Sequence, residues 1–106
     1  MSYSLWVEMD AGGSEPMTAG SWNYTSNCAL MWREAGADLA EFDGRKAKDC
    51  LTFVIDAVAE LKANPKKYRA MDPPNGWGSY DSLLPAIVEL GELFVQYPEA
   101  TVRVHR

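Results

Sequence analysis

Residues 3–9, Tyr3-Ser4-Leu5-Trp6-Val7-Glu8-Met9, set Tyr3, Leu5, Val7 and Met9 against Ser4, Trp6 and Glu8. That period of two is the mark of a strand with one face on a core. At the far end of the chain, Ala100 to His105 repeats the pattern, with Val102 and Val104 inward and Thr101, Arg103 and His105 outward. A lone strand is not stable, so the simplest closure pairs these two segments and sets Glu8 across from Arg103. The expected fold is α+β: N- and C-terminal strands paired, with about three helices packed on them, in a single domain over residues 1–106.

The middle of the chain supplies the helices. Asp43 is a good N-cap and Asn64-Pro65 a stop, and between them Ala47, Cys50, Leu51, Val54, Val58 and Leu61 recur at spacings of three and four. Pro65 to Met71 adds a short turn of helix. A last helix runs from Asp81 or Ser82 to about Gln96, with Pro85 placed in its first turn, where a missing amide donor does no harm. Its apolar residues form two stripes, Leu83, Ile87, Leu90, Phe94 and Tyr97 beside Leu84, Val88, Gly91 and Val95. A sector that broad suits central packing or an oligomer surface. An earlier helix from Cys28 to about Ala35 ends near Gly36 and buries Leu30 or Met31 with Trp32. Between the first strand and this helix the pattern reads as a long irregular segment, broken at Gly12-Gly13-Ser14-Glu15-Pro16.

Composition narrows the function. The 106 residues are 47% hydrophobic and 11% aromatic, enough for a real core without metal or disulfide, and no cofactor is expected. A formal net charge of -5 opposes binding to a nucleic-acid backbone. The one basic cluster, Lys62, Lys66, Lys67 and Arg69, reads as the solvated end of a helix. Cys28 and Cys50 lack C-x-x-C spacing and a matching histidine set, so they read as buried, reduced thiols. With no leader-like segment and no apolar run of about 20 residues, a cytosolic location without a membrane partner is expected.

Two polar stretches crowded with aromatics carry the functional signal: Trp22-Asn23-Tyr24-Thr25-Ser26-Asn27 and Asp72-Pro73-Pro74-Asn75-Gly76-Trp77-Gly78-Ser79-Tyr80. Aromatic faces stack on planar ligands and carboxamides hydrogen-bond their edges. Both stretches lead into helix N-termini, whose open amides and partial positive charge suit a phosphate or carboxylate. Trp22, Tyr24, Trp77 and Tyr80 would stack a planar ligand, while Asn23, Thr25, Ser26, Asn27, Asn75 and Gly76 surround its edge or its anionic group. Arg45 or Arg69 would neutralise charge. The plainer readings stay open: Ser26 and Asn27 as helix caps, Asn75-Gly76 as a turn, Trp77 and Tyr80 as core-edge packing.

Catalysis has little support. The single His105 lies outward on the last strand, and no Ser-His-Asp, H-E-x-x-H, P-loop or G-x-G-x-x-G pattern occurs. Glu8, Asp10 and Glu15 cluster, but as a solvated rim.

Ser2-Tyr3-Ser4-Leu5-Trp6-Val7-Glu8, Asn23-Tyr24-Thr25-Ser26-Asn27 with Met31-Trp32-Arg33, Asp43-Gly44-Arg45-Lys46-Ala47, Tyr68-Arg69-Ala70-Met71 and Pro73-Pro74-Asn75-Gly76-Trp77-Gly78 resemble small uncharacterised accessory proteins of actinobacteriophages and related bacterial genomes. The resemblance spans nearly the whole chain and implies action in the cytoplasm of a bacterial host. Joined to the aromatic stretches, it gives the first functional expectation: sequestration of a small, nucleotide-like host ligand such as a defence second messenger. A protein-interaction module that inhibits a host protein is the second, and a minor virion or assembly protein, oligomeric through the last helix, the third.

Overall fold

The computed structural model describes residues 2–10, 12 and 15–105. Strand β1 (Ser2–Met9) is central in a three-stranded antiparallel sheet, flanked by β2 (Met17–Thr25) and β3 (Thr101–His105). The pairing of the terminal strands is as expected from their alternation. Trp6 stands opposite Arg103 and Val7 opposite Val102. Glu8 faces Thr101 and reaches Arg103 diagonally, with Arg103 Nε 3.3 Å from Glu8 Oε1, while Trp6 Nε1 donates to Glu8 Oε2 at 2.9 Å. This outward network occupies Glu8, and Asp10 accepts from the Gly12 amide.

The second strand corrects the sequence reading. The segment taken as irregular is β2, with Leu5 opposite Trp22 and Tyr3 opposite Tyr24. Its first half, Met17-Thr18-Ala19-Gly20-Ser21, offers no apolar alternation, whereas Trp22-Asn23-Tyr24-Thr25 does alternate. Backbone pairing to β1, not intrinsic strand preference, carries the weak half. In the Gly12–Pro16 break, residues 13 and 14 lie outside the described residues.

Helices α1 (Ala29–Glu34), α2 (Ala47–Ala63), α3 (Pro65–Arg69) and α4 (Tyr80–Gln96) cover the inward face. A short 3-10 turn at Ser26–Cys28 precedes α1, and another spans Leu39–Phe42. In α1 it is Met31 and Trp32 that are buried, while Leu30 points to solvent. Trp32 packs edge-on against Tyr3 at 5.1 Å, and its Nε1 finds no acceptor among the described residues.

Two helix starts differ from expectation. Asp43 does not cap α2, which begins at Ala47. The backbone before it runs along the outer edge of β3: Gly44 N donates to Val102 O, Val102 N to Arg45 O and Ala47 N to Ala100 O, and the Asp43 carboxylate accepts from Val104 N. Those bonds shield an otherwise open sheet edge and delay the helix. Helix α4 begins one residue before Asp81, so Pro85 is its sixth residue and lies inside the helix. The Asp81 carbonyl that Pro85 leaves without an amide belongs to an exposed residue.

Leu83, Ile87, Leu90 and Phe94 of α4 and Ala47, Cys50, Val54, Ala57 and Leu61 of α2 are buried together. Burial pushes the Cys50 thiol up from 9.0 to about 11. An unfolded thiol gives up its proton first, so the unfolded state gains from ionisation while the folded state does not, and stability falls as pH rises through that interval. Urea midpoints are expected to decline between pH 9.0 and about 11. Cys50→Ala should flatten the decline in part, since burial also raises Tyr68, Tyr24 and Cys28.

Candidate functional site

Strand alternation divides the first aromatic stretch. Trp22 and Tyr24 turn inward, and Asn23 and Thr25 fall on the other face. Trp22 is 7% exposed, and its Nε1 donates to Ala86 O of α4 at 2.8 Å. It stacks on Tyr24 with ring centres 6.1 Å apart. The Tyr24 hydroxyl hydrogen-bonds the Ser82 hydroxyl at the start of α4. Trp22 therefore fastens the sheet to α4, a structural task that burial and a backbone acceptor both require.

The second stretch divides as well. Tyr80 is 4% exposed and donates to Leu61 O at 2.7 Å, which ties α4 to α2. Trp77, in contrast, is 68% exposed. It sits on a turn in which Asn75 Oδ1 accepts from Trp77 N and Gly76 takes a φ of 76°.

An open groove of about 540 Å³ runs between the two stretches, lined by Ser2, Asn23, Thr25, Asn27, Asn75 and Trp77. Asn23 Nδ2 donates to Ser4 Oγ, and Asn27 Nδ2 to Thr25 Oγ1, so both carboxamides are held in place. Thr25 caps the 3-10 turn, and Ser26 begins that turn without lining the groove.

Gly78 holds the two walls together. A Cβ there would come within 2.7 Å of Thr25 Cγ2 and 2.9 Å of Cys28 Sγ, and its φ is 94°. Only glycine permits both the backbone angle and the approach. Cys28 beneath it is buried, and burial pushes its thiol up, so it stays protonated.

The expected cations are elsewhere. Arg69 pairs with Asp81 at 3.0 Å and lies over the Tyr80 ring, and Arg45 borders a separate depression with Asp38, Glu41 and Phe53. The start of α4 is also supplied. Asp72 Oδ1 accepts from Tyr80 N at 2.7 Å, Ser79 Oγ accepts from Ser82 N, and Ser82 Oγ accepts from Ser79 N. The anion at that helix terminus is the protein's own carboxylate. The groove lining is thus neutral: amides, hydroxyls and one indole.

Gly78 and the interleaving of Asn23 and Thr25 with the inward aromatics are the features that residue type alone passes over. The alternation in Trp22-Asn23-Tyr24-Thr25 carried the second of these signals. No family model matches the chain, and neither the curated proteins nor the solved structures offer a match.

Replacing Gly78 tests how the walls are held. Gly76 also has a positive φ but open space around it, so Gly76→Ala bears only the backbone cost, of about 1–3 kcal/mol. Gly78→Ala adds the collision with Thr25 and Cys28, and a larger drop in melting temperature than for Gly76→Ala is expected in a calorimetric scan.

Proposed function

We propose that the protein binds and sequesters a small host ligand in the groove between Asn23, Asn27, Asn75 and Trp77, and that the ligand presents a flat ring to Trp77 and a hydrogen-bonding edge to the carboxamides. The observation that carries this reading is the exposure of Trp77, 68%, on the turn it shares with Asn75, beside Asn23 and Asn27 on the opposite wall. An indole left in water next to convergent amides suits stacking with edge recognition. Each carboxamide offers donors at one end and an acceptor at the other, which matches the mixed edge of a nucleobase.

The neutral lining supports recognition through the base and its sugar more than through phosphate, since neither Arg45 nor Arg69 borders the groove. The resemblance to actinobacteriophage accessory proteins adds the setting: a host cytoplasm in which a nucleotide second messenger of antiviral defence is the ligand removed. No helix among the described residues is long and apolar enough to cross a membrane.

The second reading, a module that docks on a host protein, draws on the same exposed Trp77 and on the open form of the groove, because exposed Trp side chains are frequent interface anchors.

Native mass spectrometry of protein from its bacterial host, alongside recombinant protein incubated with nucleosides and linear and cyclic nucleotides, separates the two. A stoichiometric small-molecule adduct, lost in Trp77→Ala while the melting temperature of the free protein stays within a degree or two, is the expected result. At a ligand concentration of about 100 times Kd, the adduct should stabilise the wild type by roughly 2.7 kcal/mol. Absence of any adduct, with a host protein retained through Trp77 instead, gives the second reading first place.

A further inference from the structure

An apolar concavity lies away from the polar groove. Helices α2 and α4 run antiparallel: Tyr80 at the start of α4 bonds Leu61 near the end of α2, and Gly91 in the second half of α4 abuts Leu51 and Val54 in the first half of α2. A Cβ on Gly91 would stand 3.3 Å from Val54 Cγ1, so the missing side chain lets the helices close together and leaves a dip on their outer surface. The resulting channel, of about 610 Å³, has walls of Leu51, Ile55, Val58, Val88 and Val95. Ile55 is 57% exposed and Val95 63%. The second apolar stripe of α4, beside the one that fills the core, forms one side of it.

Charge marks the two ends. Lys62 lies at the end beside Leu61 and the start of α4, while Glu92 lies at the other, next to Gly91 and the first half of α2. Among the described residues neither forms an ion pair within the chain.

We propose that this channel is a self-association surface, occupied by the same channel of a second copy of the chain across a twofold axis. A twofold rotation that reverses the channel brings the Lys62 end of one copy to the Glu92 end of the other, and does so twice by symmetry. Two unpaired opposite charges at opposite ends of one apolar surface are the self-complementary arrangement such an axis requires. The two antiparallel helix pairs then make a four-helix layer that takes the exposed Ile55 of each copy out of water.

Sedimentation equilibrium on the full chain tests this. The expected species has twice the mass of 11.8 kDa. Ile55→Ser, at an exposed position, should shift the population to monomer with an unchanged circular dichroism spectrum. Lys62→Glu and Glu92→Lys should each weaken the dimer by roughly tenfold, because each reversal places two pairs of like charges together. The combined K62E/E92K chain should recover wild-type association. That recovery separates the proposal from general loss of folding, since a misfolded single variant gains nothing from a second reversal.

A monomer up to about 1 mM protein overturns the proposal, whether the channel then takes an aliphatic ligand or a helix of another protein. A dimer indifferent to both single reversals, or one that the double reversal fails to restore, overturns it too.

Discussion

The inward face of β1 is the constraint on which the remaining structure depends. Tyr3, Leu5 and Val7 are almost wholly buried, and β1 hydrogen-bonds a neighbour on each side. A central strand must be covered on its apolar face, and that need orders the helices: α4 is anchored over β2 through Trp22, and α2 joins α4 through Tyr80. Trp22 and Tyr80, two of the four aromatics that residue type marks as ligand contacts, are therefore the fasteners between layers. Once they are committed to the core, Asn23, Thr25, Asn27, Asn75 and Trp77 remain as the groove lining.

What could be read from sequence followed physical strength. The terminal strands announced themselves through alternation, and α2 and α4 through threefold and fourfold spacing, because in each case burial of one face dominates the pattern. Strand β2 escaped because its first half gains its order from pairing with β1 and has little preference of its own. The start of α2 escaped for a related reason: Gly44, Arg45 and Ala47 spend their backbone groups on β3, a contact between residues far apart in sequence.

The site was legible in part. Residue types pointed to both aromatic stretches, and the structure brings Asn23, Thr25 and Asn27 of one beside Asn75 and Trp77 of the other. In the first stretch the alternation of Trp22-Asn23-Tyr24-Thr25 carries the sorting of inward from outward, whereas in the second Tyr80 is turned inward by its bond to Leu61, a contact between distant residues. Sequence could not reveal that Asp72 would sit at the α4 terminus, or that Arg69 would be engaged by Asp81 and Tyr80. These are tertiary facts, and they turn a site that reads as anion-binding into one with a neutral lining.

The contact between Arg103 and Glu8 joins residues 95 apart in sequence. Closing so long a loop costs chain entropy before any contact offsets it, whereas the β1–β2 hairpin closes locally. The order of events in folding follows: the hairpin and the helices assemble first, and β3 docks last between β1 and the Asp43–Ala47 segment. During synthesis the sheet stays two-stranded until Thr101–His105 leave the ribosome, and for that interval the β3 side of β1 is open to another chain's strand.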